Sequence, residues 1–191
     1  MQNSKIILIV GLGNIGSQYE LTRHNIGFLF VDSLAKQLQI SITSNKFHAI
    51  LGSATIDGVK VILAKPQTFM NRSGVAVSEI ANFYKIPKEN ILVVFDDLDM
   101  EFEKIRFRKG GADAGHNGLK SIDSLLGKDY WKMKFGIGRP QHKGQVSDYV
   151  LSNFDNEELK KMDKIFKELC DHSDLFIKQD YNKLLTKFHL S

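Results

Sequence analysis

Two unbroken aliphatic runs, Ile6–Val10 and Ile91–Phe95, each stop abruptly at a polar segment. The first gives way to Gly11-Leu12-Gly13-Asn14 and the second to Asp96-Asp97-Leu98-Asp99. A short apolar run without alternation predicts a strand buried on both faces, and a sheet of such strands needs helices on both sides. The intervening sequence supplies them. Phe30, Leu34 and Leu38 recur at helical spacing within 26–39, and a second helical pattern over 73–86 ends at Pro87. Asp57-Gly58 predicts a hairpin between strands at 46–56 and 59–65. After the second run come a strand at 104–108, a Gly-rich loop at 110–118, a helix at 119–126 and a strand at 132–137. From Asp155 the pattern is helical almost to the end. This order predicts an α/β fold: one domain over residues 1–191, with a twisted mixed β-sheet flanked by helices. In such sheets sites form beyond the carboxyl ends of strands, where both polar segments begin.

A chain of 191 residues, 42% apolar, can bury a core without covalent staples. Its one cysteine, Cys170, excludes a disulfide framework and a zinc–thiolate cluster, and the helical pattern around it predicts a core thiol. The first apolar run is too short for a signal h-region or a membrane span, so a soluble cytoplasmic protein is expected. The net charge is +4, and residues 101–143 hold ten Lys or Arg against five acids. That concentration predicts a basic surface suited to phosphates, with a solvated face as the plainer alternative.

Residues 11–16, GLGNIG, satisfy G-x-G-x-x-G. A dinucleotide site also needs a helix starting within the motif, so that its amides meet the pyrophosphate, and an acid some 20 residues on at a strand end. Here the helical pattern resumes only near Ile26, and Asp32 falls inside it. The letters match and the context does not. The loop instead offers Asn14, Tyr19, Arg23, His24 and Asn25 at the mouth of a strand.

His24 is the candidate base, because imidazole titrates near neutrality and can take a proton from water. Asp96, emerging where the second strand ends, is suited to accept the other ring N–H and fix the tautomer. Two other readings of the Asp cluster stay open, a Mg²⁺ site and a polar turn. There is no G-x-S-x-G and no cysteine near a site loop, so activated water is the simpler agent. Asn14, Asn71 and Asn117 are candidate donors to a carbonyl or oxyanion, and helix capping is the plain reading of the last two.

The segments VGLGNIGSQYELTRHNIGF, KPQTFMNRSG, VVFDDLDM, GGADAGHNGLKSI and FGIGRP together resemble the bacterial peptidyl-tRNA hydrolases, in order and spacing across residues 5–140. The resemblance implies hydrolysis of the ester between a peptide, or N-blocked aminoacyl group, and the 3′-terminal ribose of tRNA, recycling tRNA from aborted translation. It implies His24 as general base, Asp96 as its orienting carboxylate and Asn14 beside the ester. Phe69, Asn71, Asn117 and His116 fall among substrate contacts, with the two amides gripping the peptide main chain. Tyr19 matches a tRNA-binding position, and Arg108 with Lys134 the basic pair that clamps the acceptor-stem phosphate. Arg108 stands where lysine is common and Lys134 where arginine is, and an ammonium lacks the planar fork of a guanidinium. Asp113 puts a negative charge in the 110–118 loop. No cofactor, metal or membrane is implied, and a monomer is. Two rivals are a ribonuclease using His24, His116 and Lys134, and a non-catalytic RNA-binding relative. On this reading Gly11, Gly13 and Gly16 shape a turn and cradle no pyrophosphate.

Overall fold

The computed structural model describes residues 3–189, the side chains of Lys143 and His189 aside. Strand β1 (Ile6–Gly11) leads through two short 3-10 turns into helix α1 (Ile26–Leu38). Strands β2 (Ser44–Lys46), β3 (Ala49–Ile56) and β4 (Val59–Pro66) precede α2 (Ser73–Tyr84). Then come β5 (Ile91–Asp97), β6 (Ile105–Lys109), α3 (Asn117–Leu126) and β7 (Trp131–Gly136). Helices α4 (Val146–Val150), α5 (Asn156–Cys170), α6 (Ser173–Ile177) and α7 (Tyr181–His189) complete the order. The seven strands form one sheet in the order β2-β3-β4-β1-β5-β7-β6. β1 runs parallel to β4 and β5, and β5 parallel to β7. The pairs β2–β3, β3–β4 and β6–β7 are antiparallel, so the sheet is mixed as the element order predicts.

Alternate residues of the buried strands feed two cores. Ile7, Ile9, Leu92 and Val94 pack with the buried faces of α1, α5 and α6, whereas Leu8, Val10, Val93 and Phe95 pack with α2 and α3. Phe30 of α1, fully buried, meets the rings of Phe135, Phe166 and Phe176 at centroid distances of 5.5–5.6 Å. Burying a side chain of this kind stabilises by about 1.5–3 kcal/mol. Burial also pushes the Cys170 thiol up to about 12, which fits the expected core residue. Among the described residues no helix is long and apolar enough to cross a membrane.

The structure departs from the sequence reading at four places, each with a local cause. The first strand of the predicted hairpin is two strands, because Phe47 and His48 (φ 55° and 54°) form a tight turn between β2 and β3. Phe47 packs on Phe83 and Tyr84 of α2, and His48 pairs with Glu79, so tertiary contacts hold a turn that no glycine announces. Helix α2 stops at Tyr84, before Pro87, because Lys85 is left-handed (φ 53°) and folds Ile86 back into the core. The C-terminal helix is three helices. Leu175, Phe176, Ile177 and Tyr181 are all buried, which one straight helix cannot achieve on a single face. The short α4 carries no periodic signal and escapes the sequence reading.

Candidate active site

The glycine-rich segment after β1 serves close packing. A Cβ on Gly11 would lie 2.1 Å from the Gly27 carbonyl oxygen of α1, so only glycine lets strand and helix meet there. Gly16 has φ 113° and starts the first 3-10 turn. The second, Arg23–Asn25, runs directly into α1. Asn25 locks the loop, since its Oδ1 accepts the Asn14 backbone N–H at 2.8 Å and its Nδ2 donates to the Asn14 carbonyl at 2.9 Å.

Asp96 does not emerge beyond its strand. β5 continues to Asp97, so the carboxylate is buried, its side chain 2% exposed. Two imidazoles meet it there. His24 Nδ1 lies 2.9 and 3.0 Å from its two oxygens, and His116 Nε2 lies 3.0 Å from Oδ1. Burial alone would raise this carboxyl group. The two facing imidazoles outweigh that and hold it well below the usual carboxylate range. An ionised carboxylate only accepts, so both ring nitrogens donate to it.

That assignment fixes both tautomers. His116 is the N-cap of α3, and its Nδ1 accepts the N–H groups of Gly118 (3.1 Å) and Leu119 (3.4 Å). Its Nδ1 therefore carries no proton, and both of its ring nitrogens have protein partners. His24 spends its Nδ1–H on Asp96, and its Nε2 has no protein partner among the described residues. The ring lines a cleft of about 670 Å³.

Asn14, Phe69, Asn71, Asp96, His116 and Asn117 line the same cleft as His24. The Asn14 side chain is oriented by Met70, whose backbone N–H donates to Oδ1 at 2.8 Å, leaving the Asn14 NH₂ as a donor. Phe69, with φ 58°, is half exposed. Neither Asn71 nor Asn117 caps a helix. Arg72 and His116 hold the N-cap positions of α2 and α3, and both asparagine side chains are exposed.

Tyr19, Arg108 and Lys134 stand outside the cleft. Tyr19 ends the first 3-10 turn, half-buried. In the β6–β7 register Arg106 faces Lys134 and Arg108 faces Lys132, so Arg108 and Lys134 are diagonal neighbours on one face. Arg108 is exposed, whereas the Lys134 ammonium sits 3.3 Å from Asp97 Oδ2. Lys132 does not belong to the basic surface. It is fully buried, donates to the carbonyls of Gly110 (3.2 Å) and Gly111 (2.8 Å), and desolvation lowers its pKa. It ties down the root of the 110–116 loop. Asp113 Oδ1 accepts the Gly115 N–H at 2.8 Å and so shapes the turn that delivers His116.

The cation-binding reading of the acids meets occupied oxygens. Asp97 accepts from the Asp99 N–H and pairs with Lys134, and Asp99 pairs with Arg139. His24, Asp96 and His116 offer ligand atoms within 4.8 Å of one another. A metal-bound imidazole normally donates its second N–H, yet here the second nitrogen of His116 accepts from two amides. The donor set therefore fits a hydrogen-bonded relay better than a cation.

The profile of the family described as peptidyl-tRNA hydrolase matches residues 8–191. The chain belongs to the peptidyl-tRNA hydrolase family. A peptidyl-tRNA hydrolase of Aliarcobacter butzleri is 48% identical over 183 residues, covering 96% of this chain and 98% of that one. One of Wolbachia, from Drosophila simulans, is 53% identical over 149 residues, covering 78% of this chain and 82% of its own length. The crystal structure of peptidyl-tRNA hydrolase from Acinetobacter baumannii superposes with a TM-score of 0.90 at 39% identity, covering 98% of this chain and 96% of that one. The family resemblance noted in the sequence motifs thus extends over the whole fold.

Two parts of the peptidyl-tRNA hydrolase cleft escaped the sequence reading. One wall comes from Val146, Ser147, Val150 and Leu151, in and just after α4. Arg139 stands at the edge, and only its presence in FGIGRP hinted at the site.

Proposed function

We propose that this chain is a peptidyl-tRNA hydrolase that cleaves the ester between a peptide, or N-blocked aminoacyl group, and the 3′-terminal ribose of tRNA. The observation that carries the reading is the His24–Asp96 pair: Asp96 accepts the hydrogen bond of the His24 Nδ1–H, and Nε2 is left without a protein partner among the described residues, on a ring that lines a cleft with amide side chains. His24 Nε2 takes a proton from water as the water oxygen bonds to the ester carbonyl carbon. Asp96 stabilises the imidazolium so formed. The tetrahedral oxyanion accepts a hydrogen bond from the Asn14 NH₂. It then collapses with cleavage of the bond to the ribose oxygen, and His24 returns the proton to that oxygen, leaving a free acid and a ribose hydroxyl. General base catalysis of this kind contributes roughly 10²–10⁴ in rate.

Asn71 and Asn117 grip the peptide main chain, which tolerates many side chains, and exposed Phe69 covers it. Outside the cleft, Arg108, Lys134 and Tyr19 hold the acceptor stem through contacts that carry little sequence information. The enzyme acts as a cytoplasmic monomer that returns tRNA from aborted translation to use.

The ribonuclease alternative loses its acid–base pair. Both nitrogens of His116 are engaged within the protein, and Lys134 is paired with Asp97. Incubation with N-acetyl-aminoacyl-tRNA separates the readings. Released N-acetyl amino acid with full-length tRNA on a denaturing gel supports the hydrolase. Shortened RNA overturns it in favour of the ribonuclease, and binding without either product favours a silent relative.

A further inference from the structure

Arg23 precedes the proposed base in sequence, yet its side chain turns away from the cleft into a built socket. Its Nη1 donates to the Ser152 carbonyl (3.3 Å), the Ser152 hydroxyl (2.8 Å) and the Asn153 carbonyl (2.7 Å). Its Nη2 donates to both oxygens of Glu158, at 3.0 and 2.9 Å. The guanidinium carbon lies 4.6 Å from the ring centre of Tyr149 and 5.2 Å from that of Phe154. Only 11% of the Arg23 side chain is exposed.

The backbone repeats the connection. The Arg23 N–H donates to the Ser152 carbonyl (3.1 Å), the Phe154 N–H donates to Leu21 (3.0 Å), and Thr22 bridges Asn153. Glu158 serves two elements at once, because its Oε2 also accepts the Asp155 N–H (2.8 Å) in the capping box of α5. One cation thus joins the turn that carries His24 to α4, to the α4–α5 connection and to the first turn of α5.

We infer that Arg23 is a positioning residue for His24. Asp96 fixes the ring and its tautomer, whereas the Arg23 socket fixes the backbone from which the ring projects. The same socket sets that backbone at a constant distance from the cleft wall formed by α4, so base and wall move as one unit. A planar fork that bonds two carbonyls, a hydroxyl and a carboxylate between two aromatic faces suits only arginine, and an ammonium cannot reproduce it. This inference rests on the hydrolase reading.

The test is single- and multiple-turnover hydrolysis of N-acetyl-aminoacyl-tRNA by wild type, Arg23→Lys and Glu158→Gln, each also in a His24→Ala background, with thermal melts alongside. Glutamine at position 158 still serves the capping box, so Glu158→Gln keeps α5 and removes the negative charge and one of the two acceptors facing Arg23. It carries the test should Arg23→Lys fold poorly. Arg23→Lys is expected to lower kcat by about 10- to 100-fold, as for a base displaced by an ångström, with little change in KM. Glu158→Gln should shift kcat in the same direction by less. In the His24→Ala background neither substitution should lower the residual rate further, because a residue that acts through His24 has nothing left to position. An equal loss with and without His24 overturns the inference in favour of general structural damage. An unchanged kcat in both variants overturns it outright. A wild type that leaves the ester intact overturns the hydrolase reading itself, and the inference with it.

Discussion

His116 donates from Nε2 to Asp96 Oδ1 at 3.0 Å while its Nδ1 caps α3, so one ring ties the helix terminus to the carboxylate that orients His24. Replacing His116 by alanine removes the cap and one of the two imidazoles that keep Asp96 ionised. The expected cost is about 0.5–2 kcal/mol in stability from the cap alone. The loss of kcat should be smaller than for His24→Ala, because His24 keeps its own bond to Asp96. Thermal melts and steady-state kinetics of the two variants check the order.

Asp96→Asn should fail differently. Asp96 receives two N–H donors, one from each histidine, and an amide in its place turns its own NH₂ toward one of them. The proton on His24 is then free to shift to Nε2, where no base remains. We expect a fall in kcat of roughly 10²–10⁴ with KM little changed. A KM effect alone would place Asp96 in substrate binding.

The same carboxylate leaves a mark on stability against pH. Its native pKa is depressed by the two imidazoles, so its contribution is fully present above the unfolded value, about 3.9, and is lost as pH falls through the lower native value. Urea melts of wild type and Asp96→Asn should therefore not converge between pH 7 and 5, and should do so only in strong acid. A difference that shrinks between pH 7 and 5 would contradict the depressed value.

The two cations of the proposed phosphate clamp should be unequal. Arg108 is exposed, whereas Lys134 is already paired with Asp97. Arg108→Ala is expected to reduce the slope of log affinity for tRNA against log salt by about 1. Lys134→Ala should reduce it by less. Equal slopes for the two variants would mean that tRNA displaces Asp97 from Lys134.

Much of this molecule is legible in its sequence because burial and chemistry coincide there. The aliphatic runs give the central strands β1 and β5, and the polar residues that follow them give His24, Asn14 and Asp96. What escaped depends on partners distant in the chain. The Phe47-His48 turn is held by Phe83, Tyr84 and Glu79 of α2, and the double engagement of His116 needs both β5 and the α3 terminus in place. Lys132 reads as one more surface cation until the carbonyls of Gly110 and Gly111 close over it. Arg23 is anchored by residues 129 to 135 positions away, a separation no local pattern reveals.

The most direct measurement is the single-turnover rate of N-acetyl-aminoacyl-tRNA hydrolysis by wild type and His24→Ala, together with the affinity of each for the same tRNA. The substitution is expected to slow ester cleavage by about 10²–10⁴ while tRNA affinity stays within a few-fold of wild type. A parallel loss of affinity and rate, or a variant that cleaves as fast as wild type, would show that His24 is not the base.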